Sequence, residues 1–178
     1  PTHPHRDMEI VTYVRSGAIS HRDSLGNEGR TAAGDVQVMS AGTGIQHSEF
    51  NLEDEATTLF QSWILPDRRG EAPGWGTRPF PRDDRAGRFV PLASGMPGDD
   101  EALPIRANAR ILGAAIKAGE SLTYPLGTAR HAYLVPASGR VRVDGVEAQA
   151  RDGLAITGVE AFTVTALEDS DLVLADTE

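Results

Sequence analysis

The stretch TYVRSGAISHRDSLGN (residues 12–27) decides how this chain folds, because it returns in the second half as AYLVPASGRVRVDGVE (132–147). In both copies a run of β-branched and aromatic residues leads through a glycine turn into a second run of the same kind. AGDVQVMSAG (33–42) returns in the same way as ARDGLAITG (150–158). A repeat on this scale predicts two copies of one β unit.

The rest of the chain has the same character. Short segments rich in β-branched and aromatic residues predict further strands: MEIVTYV (8–14), TLFQSWIL (58–65), HAYLV (131–135), FTVTAL (162–167) and DLVLA (171–175). A helical period extends over no more than about one turn, around residues 52–56. The pattern therefore predicts an all-β chain built as sandwiches or barrels.

Residues 66–88, PDRRGEAPGWGTRPFPRDDRAGR, interrupt the strand pattern. Proline, glycine and charged residues favour an irregular, solvated path, so we expect a connection there. The predicted domains are 1–66, a connection over 67–88, and 89–178. Residues 89–124 precede the second copy of the repeat, whereas few residues precede the first copy. We therefore expect the first barrel to be truncated at its N-terminal side.

Composition excludes several classes of protein. The 178 residues include no cysteine, so disulfides, thiolate metal sites and cysteine nucleophiles are excluded. No apolar run reaches the length of a membrane span. A net charge of −9 argues against direct nucleic-acid binding, since a phosphate backbone would be repelled. We expect a cytoplasmic protein that binds neither membrane nor nucleic acid.

Candidate metal ligands stand in two pairs. His3 and His5 are two residues apart, and so are His47 and Glu49. Side chains alternate along a strand, so each pair lies on one face. Gly42 precedes the second pair and permits a tight turn. Three imidazoles and a carboxylate suit a divalent ion such as Fe(II), Mn(II), Ni(II), Cu(II) or Zn(II).

Five other residues are further candidates, either in such a site or packed around it. Glu9 shares the face of His3 and His5 and is an alternative fourth ligand, or an acceptor that orients an imidazole N–H. His21 is expected at the surface or behind a ligand, and His131 is expected to be structural. One alternative for Gln61 is to offer an amide to the site. We expect instead that Gln61 and Trp63 line the barrel or fill its core, because aromatic residues on such strands mostly pack.

The second copy keeps the turns but loses the candidate ligands. Alignment of the repeats places Pro125 and Gly127 opposite His3 and His5. It places Val164 and Ala166 opposite His47 and Glu49. We therefore expect the first copy to carry the chemistry and the second to bind no metal.

Three stretches, HPHRDMEIVTYVRSGAISHRDSLGN (3–27), GDVQVMSAGTGIQHSEFN (34–51) and LFQSWILP (59–66), closely resemble the pirin family. Pirins are bicupins of the cupin superfamily, and several bacterial members are described as quercetin 2,3-dioxygenases. The resemblance implies two tandem cupin barrels of the double-stranded β-helix, or jelly-roll, type. It also implies that His3, His5, His47 and Glu49 bind one metal, which decides the fourth position against Glu9.

The same resemblance implies a function. We expect a dioxygenase that cleaves a flavonol such as quercetin with O₂, using Glu49 to accept the 3-hydroxyl proton and one divalent metal, Fe(II) before Mn, Ni, Cu or Zn. The alternative is a non-enzymatic, metal-bearing regulator that acts through a protein partner. Because a bicupin covers its own sheet edges, we expect a monomer.

Overall fold

The computed structural model describes all 178 residues as strands joined by short turns, with one 3₁₀ turn at Arg82–Arg85. The all-β prediction is confirmed. None of its elements is a helix long and apolar enough to cross a membrane. Contacts divide the chain into two compact units, residues 1–81 with 93–108, and residues 82–92 with 109–178.

The first unit holds two four-stranded sheets. Their strands are β1 (His3–His5), β2 (Glu9–Ser16), β3 (Ala18–Asp23), β4 (Glu28–Ala32), β5 (Val36–Ser40), β6 (Ile45–Phe50), β7 (Thr58–Ile64) and β8 (Gly74–Arg78). One sheet has the order β1-β6-β3-β4 and the other β7-β2-β5-β8. Strand β9 (Val90–Ser94) ends in this unit, where β10 (Leu103–Pro104) pairs with it in parallel.

The second unit repeats this plan. Its strands are β11 (Ala109–Ile116), β12 (Ser121–Pro125), β13 (His131–Ser138), β14 (Arg140–Val143), β15 (Val146–Gln149), β16 (Leu154–Thr157), β17 (Ala161–Ala166) and β18 (Ser170–Thr177). One sheet has the order β12-β17-β14-β15, and the other contains β11-β18-β13-β16. The orders β1-β6-β3-β4 and β7-β2-β5 therefore reappear as β12-β17-β14-β15 and β18-β13-β16.

Local details repeat as well. The pairing of β2 with β7 shifts register between Val14 and Ser16, and that of β13 with β18 shifts between Pro136 and Ser138. Each bulge is followed by a glycine with positive φ, Gly17 at 70° and Gly139 at 78°. Glycine adopts this conformation without the steric cost other residues meet. The repeat seen in the sequence is thus a structural repeat, and the prediction of two tandem cupin units is confirmed.

The structure differs from the predicted connection in two respects. Residues 74–78, within the segment expected to be irregular, form β8 and pair antiparallel with β5. Pro73 and Pro79 flank the strand but none lies inside it, and an edge strand needs a partner on one side only. Composition pointed to a loop because glycine and arginine dominate there. The first unit also extends past residue 66, to residue 81.

The two interiors differ in polarity. The core of the second unit is a continuous apolar cluster that includes Leu134, Phe162, Val164 and Leu174. One core cluster of the first unit holds Ile10, Met39, Ala41 and Ile45, with Met8 and Trp75 packed against it. Further apolar residues, among them Val11, Val14 and Val36, are also buried in this unit. Its buried positions include many polar side chains as well: Glu9, Thr12, His21, Asp23, Thr31, Gln37, Ser40 and His47. Buried polar groups are costly unless they are partnered, so this interior combines apolar packing with polar contacts.

Candidate metal centre

The register of three neighbouring strands gathers the candidate ligands. On β1 and β6, His3 lies opposite His47; on β6 and β3, His47 lies opposite Asp23 and Glu49 lies opposite His21. Residues directly opposite each other in a sheet point to the same face. The predicted pairs therefore meet on one face, and β3 adds His21 and Asp23 to it.

Three imidazoles form the first cluster of candidate ligands. One ring nitrogen from each of His3, His5 and His47 lies within 4.8 Å of the others. The Nε2 atoms of His3 and His47 are 3.1 Å apart. His3 Nδ1 lies 3.1 Å from the carbonyl oxygen of Pro1. A carbonyl only accepts, so Nδ1 carries the proton and His3 Nε2 presents its lone pair toward His47.

Glu49 belongs to a second cluster, with His21 and His47, whose ligand atoms also lie within 4.8 Å of one another. His47 is common to both clusters. The Glu49 carboxylate accepts hydrogen bonds from two amides: Gln61 Nε2 donates to Oε2 at 3.0 Å and Gln37 Nε2 donates to Oε1. A carboxylate offers about four lone-pair sites, so it can accept both amides and still bind an ion.

Electrostatics keep the central imidazole neutral. Burial and, after it, the neighbouring imidazoles, His3 foremost, lower the pKa of His47 to about 4, while Asp23 opposes them. Burial and the proximity of His3 likewise lower the pKa of His5. Near pH 7 the rings of His47 and His5 are therefore neutral, and the neutral imidazole is the form that binds a metal.

The lowered pKa of His47 predicts how the stability of the metal-free chain depends on pH. The unfolded chain binds a proton at His47 near 6.5, whereas the folded chain binds it only near 4. Between these values the unfolded state holds more protons, so the free energy of unfolding falls as the pH is lowered from about 6.5 to 4. One pKa unit corresponds to about 1.4 kcal/mol, so the loss is at most roughly 3 kcal/mol.

Urea unfolding of the chelator-treated chain at several pH values measures this effect. His47→Gln is the matched variant, because glutamine does not titrate, and its stability should vary less over this window. An equal slope in both proteins would contradict the assignment to His47.

A chain of hydrogen bonds leads from Glu49 to the rim of the site. Gln61 Nε2 also lies 3.2 Å from Thr12 Oγ1, and Trp63 Nε1 donates to Gln61 Oε1 at 2.8 Å. The Trp63 ring stands edge-on to His5, with centroids 5.0 Å apart, yet 56% of the residue is exposed. Of the two places expected for Trp63, the core is therefore wrong; the residue borders the site and faces solvent.

The structure also tests the expectations for Glu9 and His21. Glu9 is buried in the other sheet, belongs to neither cluster, and accepts a hydrogen bond from Ser40 Oγ at 2.6 Å rather than from an imidazole. His21 is buried, so of its two expected positions the surface is wrong and the one behind a ligand remains. Its ring stacks on Trp75 with centroids 4.7 Å apart, and its Nε2 lies 3.0 Å from Asp23 Oδ2.

Sequence reasoning missed Asp23, Gln37 and Trp75. Asp23 follows His21 at the same two-residue spacing as the predicted pairs, and this was the available signal. Burial raises the pKa of Asp23, but hydrogen bonds from His21 and Asn27 outweigh it and leave the pKa below its usual range. Gln37 and Trp75 carried no signal, since one polar residue in VQVM and one aromatic residue in a Gly-rich segment suggest nothing about their neighbours.

The residues present fit a divalent metal. His47 Nδ1 is buried with no hydrogen-bond partner, and the ring is neutral near pH 7. Which of its two nitrogens carries the proton is therefore set by what the ring binds. Three imidazoles with a nearby carboxylate form a donor set typical of Fe, Mn, Ni, Cu or Zn. The second unit contributes no residue to either cluster.

Comparison with known proteins agrees with this picture. Residues 1–64 match the family described as Pirin, and residues 92–177 match the quercetinase C-terminal cupin domain. A pirin-like protein of Caulobacter vibrioides is 62% identical over 176 residues, covering 99% of this chain and 76% of that protein. A quercetin 2,3-dioxygenase of Escherichia coli is 37% identical, covering 98% of this chain and 74% of that protein.

Solved structures extend the comparison. The bacterial pirin YhhW from Escherichia coli, in complex with nickel(II), matches with a TM-score of 0.91 and 35% identity, covering 99% of this chain and 75% of that chain. The family matches cover both halves of the sequence, and the relatives are similar over nearly the whole chain. The chain therefore belongs to the pirin family.

Proposed function

We propose that this protein is a metal-dependent dioxygenase that cleaves a flavonol such as quercetin with O₂, and that His3, His5, His47 and Glu49 hold its single ion. The observation that carries the proposal is the cluster of three imidazoles in the first unit, with Glu49 beside His47. A relative named quercetin 2,3-dioxygenase and a pirin solved with nickel(II) support it. The second unit serves as scaffold in this account.

The ion, when bound, acts as a Lewis acid that stabilises the anion of the substrate. Glu49 is the group placed to accept the 3-hydroxyl proton of the flavonol. The overall reaction adds both atoms of O₂ to the flavonol, opens its central ring to an ester, and releases one ring carbon as carbon monoxide.

Gln37 and Gln61 fix the direction of the Glu49 carboxylate. Each amide donates to one of its two oxygens. Gln37 is itself anchored, because Thr31 Oγ1 donates to its Oε1 at 3.1 Å. The two amides therefore hold the carboxylate in one orientation, in which Glu49 is placed to take a proton from the substrate and release it afterwards.

Trp63 offers a surface for an aromatic substrate. Its ring is more than half exposed, at 56%, and stands beside His5 at the edge of the imidazole cluster. Exposed tryptophan is unusual unless a partner covers it. A flat polyphenol stacked against Trp63 would bring its hydroxyl groups toward His5 and the ion.

Trp63→Ala is expected to raise the KM for quercetin by about 3- to 10-fold, since an aromatic contact contributes about 0.5–1.5 kcal/mol beyond burial. Trp63→Phe keeps the ring but loses the N–H that Gln61 accepts. It should leave KM close to that of the unmodified protein. Steady-state kinetics of the two variants separate stacking from hydrogen bonding, and an unchanged KM in Trp63→Ala would exclude Trp63 from the substrate contact.

The experiment that tests the proposed function follows quercetin absorbance and carbon monoxide release together. The chelator-treated chain is reconstituted in turn with Fe(II), Mn(II), Ni(II) and Cu(II) under air. We expect metal-dependent loss of quercetin with about one carbon monoxide per molecule consumed. A chain that holds one ion but consumes no quercetin would contradict the enzyme and favour the alternative, a metal-bearing regulator.

A further inference from the structure

Two buried nitrogen atoms beside the imidazole cluster lack any partner. They are Nδ1 of His21 and Nδ1 of His47. Buried polar atoms in folded proteins are nearly always hydrogen-bonded, so each exception asks for an explanation. The two rings are neighbours, with centroids 5.3 Å apart, so one explanation can serve both atoms.

The protonation of His21 follows from its contact with Asp23. Both carboxylate oxygens of Asp23 face donors: Oδ1 accepts from the backbone N–H groups of Leu25 and Asn27, and Oδ2 accepts from Asn27 Nδ2 at 2.9 Å. Asp23 is thus an acceptor throughout, and Nε2 of His21, 3.0 Å from Oδ2, carries the proton. In the neutral ring Nδ1 is then an acceptor.

His47 is expected in the opposite tautomer from His21, with its proton on Nδ1. Its Nε2 faces His3 Nε2 at 3.1 Å, on the side of the three-imidazole cluster. If Nε2 binds the ion, the neutral ring carries its proton on Nδ1, which becomes a buried donor. Nδ1 of His21 is the unpartnered acceptor next to it.

We propose that Asp23 and His21 form a positioning pair that accepts the Nδ1–H of His47, directly or through one buried water, and so fixes the tautomer and orientation of His47. Glu49 lies in the same group of side chains and offers a further acceptor for such a water. Metal-binding histidines commonly donate their second N–H to a fixed acceptor of this kind. The proposal rests on the proposed function only in that His47 holds the ion through Nε2.

The pair is rigid enough for this role. The side chains of His21 and Asp23 are both fully buried. The Trp75 ring lies flat against His21, with an angle of 8° between the rings. Gly29 makes room for that tryptophan, since a Cβ there would come within 2.2 Å of the ring. Asp23 is held in turn by the Leu25 and Asn27 backbone, so neither member of the pair can turn freely.

Three variants separate positioning from plain packing. His21→Leu removes the acceptor, His21→Gln keeps one in its side-chain oxygen, and His131→Leu is the control in the second unit. We expect His21→Leu to lower the affinity for Ni(II), measured by calorimetry, by about 10- to 100-fold. His21→Gln should recover most of that loss, and His131→Leu should bind as the unmodified protein does. Equal affinity in all three, or equal loss in both His21 variants, would overturn the proposal.

Nitrogen NMR of the Zn(II)-loaded, unmodified chain gives a result that does not depend on how the variants fold. With histidine labelled by ¹⁵N, we expect His47 to be bound through Nε2 with a proton on Nδ1, and His21 to carry its proton on Nε2. Zinc bound through Nδ1 of His47, or a proton on Nδ1 of His21, would overturn the pair while leaving the metal site standing. A chain that binds neither metal would overturn the metal site and the pair together.

Discussion

His47→Ala is expected to lower the affinity for Ni(II) by more than about 100-fold, beyond the range typical of losing a supporting residue, and to abolish metal-dependent quercetin consumption. His47 is the one residue common to both ligand clusters, and it lies in register with His3 on β1 and Asp23 on β3. Without His47, neither group of three candidate ligands is complete.

The control for this prediction is His131→Ala. His131 is exposed on β13 in the second unit, where its Nδ1 pairs with the Thr157 hydroxyl at 2.9 Å. Metal titration by calorimetry and the quercetin assay are run on both variants, with the thermal unfolding midpoint as a check on folding. Undiminished Ni(II) binding by a folded His47→Ala chain would place the ion elsewhere.

Glu49→Gln is expected to lower kcat by about 10²- to 10⁴-fold, the usual contribution of a positioned general base. Glutamine has nearly the same shape but cannot accept the 3-hydroxyl proton. Its amide NH₂ group would also face the NH₂ group of Gln37 or Gln61, so one of the two hydrogen bonds that hold Glu49 is lost. The effect on metal affinity should be smaller, because the three imidazoles remain.

Glu53→Gln is the matched control for Glu49→Gln. Glu53 lies four residues further along and is paired with Arg30 at 2.8 Å in an exposed ion pair, and such pairs contribute little. The measurement is kcat and KM for quercetin with the metal concentration held at saturation. Full kcat in Glu49→Gln would remove Glu49 from the proton transfer.

Much of the fold was predictable from local patterns. Period-two alternation and glycine turns mark strands without reference to the rest of the chain, and the repeat at 12–27 and 132–147 predicted two units of one plan. The pairs His3/His5 and His47/Glu49 were predictable for the same reason, because alternation states which residues share a face.

Alternation does not state whether that face is covered, and this is where sequence reasoning failed. His21 and Asp23 share a face just as His47 and Glu49 do. The ring of His21 is covered by Trp75, which lies on β8, a strand that composition did not predict. Trp63 was expected to line the barrel or fill its core because it is aromatic. It is exposed instead, near the end of β7, the edge strand of its sheet.

The comparison of the two units gives a physical reason for placing the chemistry in the first. Equivalent sheets enclose an almost wholly apolar cluster in the second unit, around Leu134 and Phe162, and an interior with many polar side chains among the apolar ones in the first. An apolar interior stabilises the fold but offers no donor to an ion. The first unit gives up part of that stabilisation to hold imidazoles, amides and carboxylates in place, as the proposed function requires.

The most direct test of the central claim is a crystal structure of the Ni(II)-loaded protein with anomalous difference data collected at the nickel absorption edge. We expect one strong anomalous peak per chain, within bonding distance of His3, His5, His47 and Glu49, and no such peak in the second unit. A peak bonded to other residues, or one that leaves out His47, would contradict it.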